Sequence, residues 1–66
     1  MHIHINGAER EFPDGSTVAD LLTALDTPRQ GVAVALDGEV VRRADWPVAV
    51  VSDGARLEIL TAVQGG

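Results

Sequence analysis

The chain has no cysteine, no lysine and no tyrosine, and only one phenylalanine and one tryptophan. Without cysteine there is no disulfide framework, no thiol nucleophile and no thiolate for zinc or an iron–sulfur cluster. Without lysine, acetylation and Schiff-base chemistry have no side-chain amine to act on. Long hydrophobic runs are missing too. The longest unbroken stretch of Ala, Val, Leu and Ile is Val32 to Leu36, against about 18 apolar residues for a membrane span. The opening MHIHING carries no basic segment followed by an apolar core, so it does not read as a secretory signal. The expectation is a soluble, cytoplasmic protein that does not associate with membranes.

What remains is small and acidic. Sixty-six residues weighing 6.9 kDa allow one domain, and 45% apolar residues are a globular fraction. A chain this short buries only about 60% of its unfolded surface, so its core holds it by only a few kcal/mol. It has no room for a deep cavity lined by catalytic side chains. The net charge is −5, and every basic residue is an arginine: Arg10, Arg29, Arg42, Arg43 and Arg56. Such a surface repels phosphate backbones, which disfavours nucleic acid and favours a basic protein partner.

The hydrophobic period then assigns elements. Met1, Ile3 and Ile5 alternate with His2, His4 and Asn6, as in a half-buried strand. Asn6-Gly7 is a strong hairpin signal, and Ala8 to Phe12 returns as a second strand burying Ala8, the stem of Arg10 and Phe12. Val18, Leu21, Leu22 and Leu25 form one apolar stripe on a helix of about three turns, capped by Thr17 or Ser16 and ended by Pro28 and Gly31. Val32 to Leu36 is apolar on both faces, as a central strand is. Asp37-Gly38 turns the chain into a short edge segment, Glu39 to Arg43. Residues 44–51 are ambiguous between a loop with one helical turn and a brief strand. After an Asp53-Gly54 turn, Arg56 to Val63 alternates again. The helix must pack on the face carrying Ile3, Ile5, Val34, Leu36, Leu57 and Ile59. An α+β fold follows: one helix on one face of a mixed, curved sheet of four to five strands, the β-grasp arrangement. Residues 1–63 form its single domain and 64–66 a flexible tail.

Catalytic constellations are absent. His2 and His4 share a strand face, but a third metal ligand would have to be a distant carboxylate, and they read as ordinary exposed residues. The acidic residues are scattered, the hydroxyl residues have no general base, and each turn glycine stands alone rather than in a phosphate-cradling loop. Trp46 reads as a plug at the open edge of a small core. Two features point to function, against the plainer readings of tolerated exposed surface for the first and a floppy end or truncation scar for the second. Leu60, Ala62, Ala33 and Ala35 gather on the sheet face away from the only helix, with Glu58 beside them, and an uncovered apolar patch on a small acidic protein reads as a docking surface. Gly65 and Gly66 then follow Gln64 directly after a strand, an ending that chance gives about one chain in two hundred. A glycine carboxylate has no Cβ to shield it, and Gly-Gly can thread extended into a narrow active site of another protein.

The opening strand, STVADLLTAL, VAVALDGEVVRRADW, the SDG turn and the terminal VQGG together resemble the sulfur carriers of thiamine thiazole biosynthesis, the ThiS type, over the whole chain. Asp37, Arg42 and Ala55 depart from that family's usual residues at turns and edges. The resemblance implies a ubiquitin-like fold and a co-substrate rather than an enzyme. In it an E1-like adenylyltransferase activates the Gly66 carboxylate with ATP and Mg. Sulfur from a persulfide donor (a cysteine desulfurase or related protein) then displaces AMP to leave a thiocarboxylate, and thiazole synthase takes the sulfur. It further implies that the chain binds no cofactor itself and is a monomer when free. The alternatives are a carrier for another pathway (a molybdopterin synthase small subunit or a ubiquitin-like modifier) and a plain β-grasp interaction module.

Overall fold

A computed structural model describes residues 1–61. The expected domain boundary after residue 63, together with Ala62, Gln64, Gly65 and Gly66, lies outside the described residues.

Along the chain run β1 (His2–Ile5), β2 (Ala8–Glu11), α1 (Val18–Ala24), β3 (Val32–Leu36), β4 (Glu39–Val41), a 3-10 turn (Arg43–Asp45) and β5 (Arg56–Thr61). The strands form one sheet in the order β2-β1-β5-β3-β4. β1 and β5 are parallel and every other neighbouring pair is antiparallel. A mixed five-stranded sheet with one helix on one face is the β-grasp fold, as expected. One detail differs: the middle strand is β5, and β3 is interior but one place from the edge.

Both hairpins are set by their turn residues. Asn6 and Gly7 lie at φ 49° and 86°, Asp37 and Gly38 at 50° and 87°, the two consecutive positive values of a tight hairpin turn. Their side chains also act. The Asn6 amide donates to the Ile59 carbonyl at 3.1 Å and its Oδ1 accepts from the Ile59 N–H at 2.8 Å, so Asn6 adds a side-chain rung to the β1–β5 ladder. Asp37 Oδ1 accepts from the Arg56 N–H at 2.9 Å.

The helix begins where the chain can satisfy its first amides. Val18 N–H donates to Ala49 O at 2.9 Å and Ala19 N–H to Trp46 O at 3.1 Å. Thr17 and Asp20 form a capping box, each side chain accepting from the other's backbone amide. The loop after the 3-10 turn thus serves as part of the cap. The helix spans seven residues, not the three turns that the apolar stripe predicts. Asp26 adopts a left-handed conformation (φ 55°), and the Thr27 and Asp26 amides close on Leu22 O and Thr23 O at 2.9 and 3.1 Å, before Pro28 is reached.

The core comprises Ile3, Ile5, Val18, Leu21, Leu22, Val34, Trp46, Val51, Ala55 and Leu57, with Leu25, Leu36 and Ile59 partly buried against it. Trp46 is 2% exposed and its Nε1–H donates to Val41 O at 2.9 Å, which makes it the expected plug. β2 corrects the reading of the second strand: Ala8 and Arg10 are exposed, and Phe12 is only half-buried. They pair with Ile5 and Ile3 and so share the inner side, but a seven-residue helix about 10 Å long leaves this edge uncovered. Among the described residues no helix is long and apolar enough to cross a membrane.

Candidate docking face

Strand side chains alternate between faces, and directly paired residues share one, so the registers fix the helix-free side. Leu60 stands opposite Ala33, and Glu58 opposite Ala35. Ala35 in turn stands opposite Val40. On the other flank Arg56 pairs with His4, and His4 and His2 pair with Glu9 and Glu11. This face therefore has two halves. Its β2–β1 side is polar, with His2 Nε2 4.0 Å from Glu11 Oε2. Its β5–β3–β4 side is apolar: Leu60 is 64% exposed and Val40 76%, Ala33 is exposed and Ala35 half-buried.

The predicted patch residues Leu60, Ala33, Ala35 and Glu58 are thus brought together, while Ala62 lies outside the described residues. Val40 was missed, although the sequence holds its signal. A two-residue Asp37-Gly38 turn fixes the register, which puts Val40 across from Ala35. Arg43 was missed as well. It comes from the 3-10 turn and, with Gly31, Val32, Ala33, Leu60 and Thr61, lines a shallow depression beside Thr61, the last described residue. Its guanidinium carbon sits 5.6 Å from the centre of the Trp46 ring, within cation–π range.

The charge around the patch is of both signs. Glu58 is flanked on its own strand by exposed Arg56, and Arg43 borders the depression from the other side. Among the described residues the Met1 ammonium pairs with Asp14, and His2 Nε2 lies 4.0 Å from Glu11 Oε2; neither Arg43 nor Glu58 is neutralised by another described side chain. Nor do the described residues bring three His, Cys, Asp or Glu side chains into a metal-holding group.

The comparisons with known proteins bear on the whole chain. The ThiS family model matches residues 3–66. The chain is 32% identical to the sulfur carrier protein ThiS of Escherichia coli K12, covering 100% of both chains. It is 38% identical over 66 residues to a thiazole synthase of Paramagnetospirillum magneticum, of whose length it spans 20%. The crystal structure of the thiamine biosynthesis protein ThiS from Geobacter metallireducens superposes with a TM-score of 0.86 at 32% identity, with full coverage of both chains. A solution structure of a thiamine biosynthesis protein from the same organism gives 0.81, covering all of this chain and 88% of that one. A five-stranded β-grasp sheet with an open apolar half-face, and a family match running through Gly66, place the chain in the ThiS family of sulfur carriers in thiamine biosynthesis.

Proposed function

We propose that Gly66 is the group that carries sulfur and that all catalytic machinery resides in partner proteins. A carboxylate is a poor electrophile until one of its oxygens becomes part of a leaving group. An E1-like adenylyltransferase supplies this with ATP and Mg: the Gly66 carboxylate attacks the α-phosphate, pyrophosphate departs, and an acyl-adenylate results. The outer sulfur of a persulfide donor, a cysteine desulfurase or related protein, displaces AMP to give an acyl disulfide. A reducing thiol then cleaves its S–S bond, which leaves the thiocarboxylate and puts the two-electron oxidation on the thiol as a disulfide. Thiazole synthase then takes that sulfur. The chain is a co-substrate, not an enzyme. It works in the cytoplasm as a monomer when free and binds no cofactor of its own.

The observation that carries this reading is the family match, which includes the two final glycines. The length match to a 20% share of a thiazole synthase supports the last partner, because in that relative a segment like this chain belongs to the polypeptide so named. Leu60, Val40, Ala33 and Ala35, with Glu58 at their margin, form the docking face in this proposal. Five residues follow Thr61, ending at Gly66, a reach of about 17 Å when extended. That suffices for a partner seated on this face to receive the carboxylate in its active site.

The test is to append one alanine after Gly66. The reacting carboxylate then moves by about 3.5 Å onto a residue with a Cβ, and misplacements of 1 Å can already lower rates a hundredfold. With the cognate adenylating enzyme, ATP–pyrophosphate exchange and the mass shift from oxygen to sulfur should both disappear while the fold persists. Adenylation and thiolation at the parental rate would remove Gly66 as the reacting group.

A further inference from the structure

We infer that Arg43 is a charged contact of the docking face and that it meets a carboxylate of the adenylating partner, set beside an apolar side chain that fills the depression at Leu60. This deepens the proposed function and rests on it.

The depression is lined by Val32, Ala33 and Leu60, with Arg43 at its border. It sits beside Thr61, the last described residue of the chain. A partner that takes Gly66 into its active site comes within about 17 Å of Thr61, so the surface around the root of the tail is among the first to be covered. Arg43 is oriented before any partner arrives. It belongs to a 3-10 turn whose following residue, Trp46, is fixed in the core by its bond to Val41 O, and its guanidinium lies over that ring. A flexible surface arginine loses rotamer freedom when it is recruited, and one already seated over an indole loses less. No described carboxylate pairs with it. A guanidinium presents a planar fork of donors that matches a carboxylate, and burial beside an apolar contact strengthens such a pair. Although the chain as a whole is acidic, this corner of it selects an acidic residue of the partner.

The full-length chain and its adenylating enzyme test this by pyrophosphate exchange and by titration calorimetry. Arg43→Glu should raise the apparent KM and the Kd about tenfold at low salt, leave the saturated rate unchanged and weaken the salt dependence of binding. Arg43→Lys, which keeps the charge but not the planar fork, should fall between the two. In the free chain, the carboxyl carbon resonance of Gly66 should be the same in the parent and in Arg43→Gln. Circular dichroism confirms that each variant is folded. If the parent is active and Arg43→Glu binds equally well, this inference fails while the carrier reading stands. If the Gly66 resonance moves, Arg43 holds the chain's own terminus and the partner contact is wrong. A parent that is neither adenylated nor thiolated overturns the carrier reading, and this inference with it.

Discussion

The two faces of the single sheet are made from the same strands and have opposite fates. On the inner face Ile3, Ile5, Val34 and Leu57 are between 0 and 7% exposed, closed over by α1 and by the segment holding Trp46 and Val51. On the outer face, one residue along each strand, His4, Glu58, Leu60, Ala33 and Val40 meet no covering element among the described residues. The inner face is filled with branched side chains that gain from leaving water. The outer one divides into a polar half, where charges keep β1 and β2 solvated, and an apolar half with no described residue over it. If the outer face docks the partner as proposed, stability and recognition lie on opposite sides of one backbone and should respond to different substitutions.

The largest effect is expected on the inner side. Leu57→Ala, at a fully buried site on the middle strand, should lower stability by about 2–5 kcal/mol in urea unfolding, much of what so small a domain has. A loss under about 1 kcal/mol would mean that the face against α1 is not the core. Three residues along the same strand, Leu60→Asp should leave stability within about 0.5 kcal/mol and reduce affinity for the adenylating enzyme at least tenfold in titration, with Val40→Asp weaker in the same direction. Equal affinity for the folded Leu60→Asp variant would take the docking role away from the apolar half. The smallest change should come from His2→Ala on the polar half. Exposed pairs such as His2–Glu11 contribute little, so both the unfolding midpoint and partner affinity should stay near parental. A clear affinity loss would extend the docking face across the whole sheet.

The sequence made some of this division legible and hid the rest. Hairpins were readable at Asn6-Gly7 and Asp37-Gly38, because few residue pairs tolerate two consecutive positive φ values. The helix phase was readable because Val18, Leu21 and Leu22 leave one stripe to bury. Leu60 on the outer face follows from period-2 alternation along β5. The burial of Ala8 and Arg10 was misjudged for a reason of reach: alternation assigns a side but not whether anything covers it. The helix end was placed too late because an aspartate, Asp26, takes the left-handed position usually left to glycine. The cap was seen only in its side-chain half, since no local pattern links Val18 and Ala19 to the carbonyls of Ala49 and Trp46, some thirty residues away. Val40 and Arg43 needed a register and a turn geometry before they joined the patch.

The parallel pairing of β1 with β5 has a mechanical consequence. Consider a pull on the chain beyond Thr61, with the rest of the sheet held fixed, directed along the axis of β5. Its hydrogen bonds to β1 and β3 lie across that axis. On the β1 side these include His4 N–H to Ala55 O at 2.9 Å, Asn6 N–H to Leu57 O at 3.0 Å and the paired Asn6–Ile59 contacts. A pull in this direction shears them together instead of opening them one after another like a zip, so they share the force. β5 is therefore braced on both sides against being drawn out along its own axis, and under the proposed function a partner could stretch the segment beyond Thr61 taut without unravelling the domain behind it.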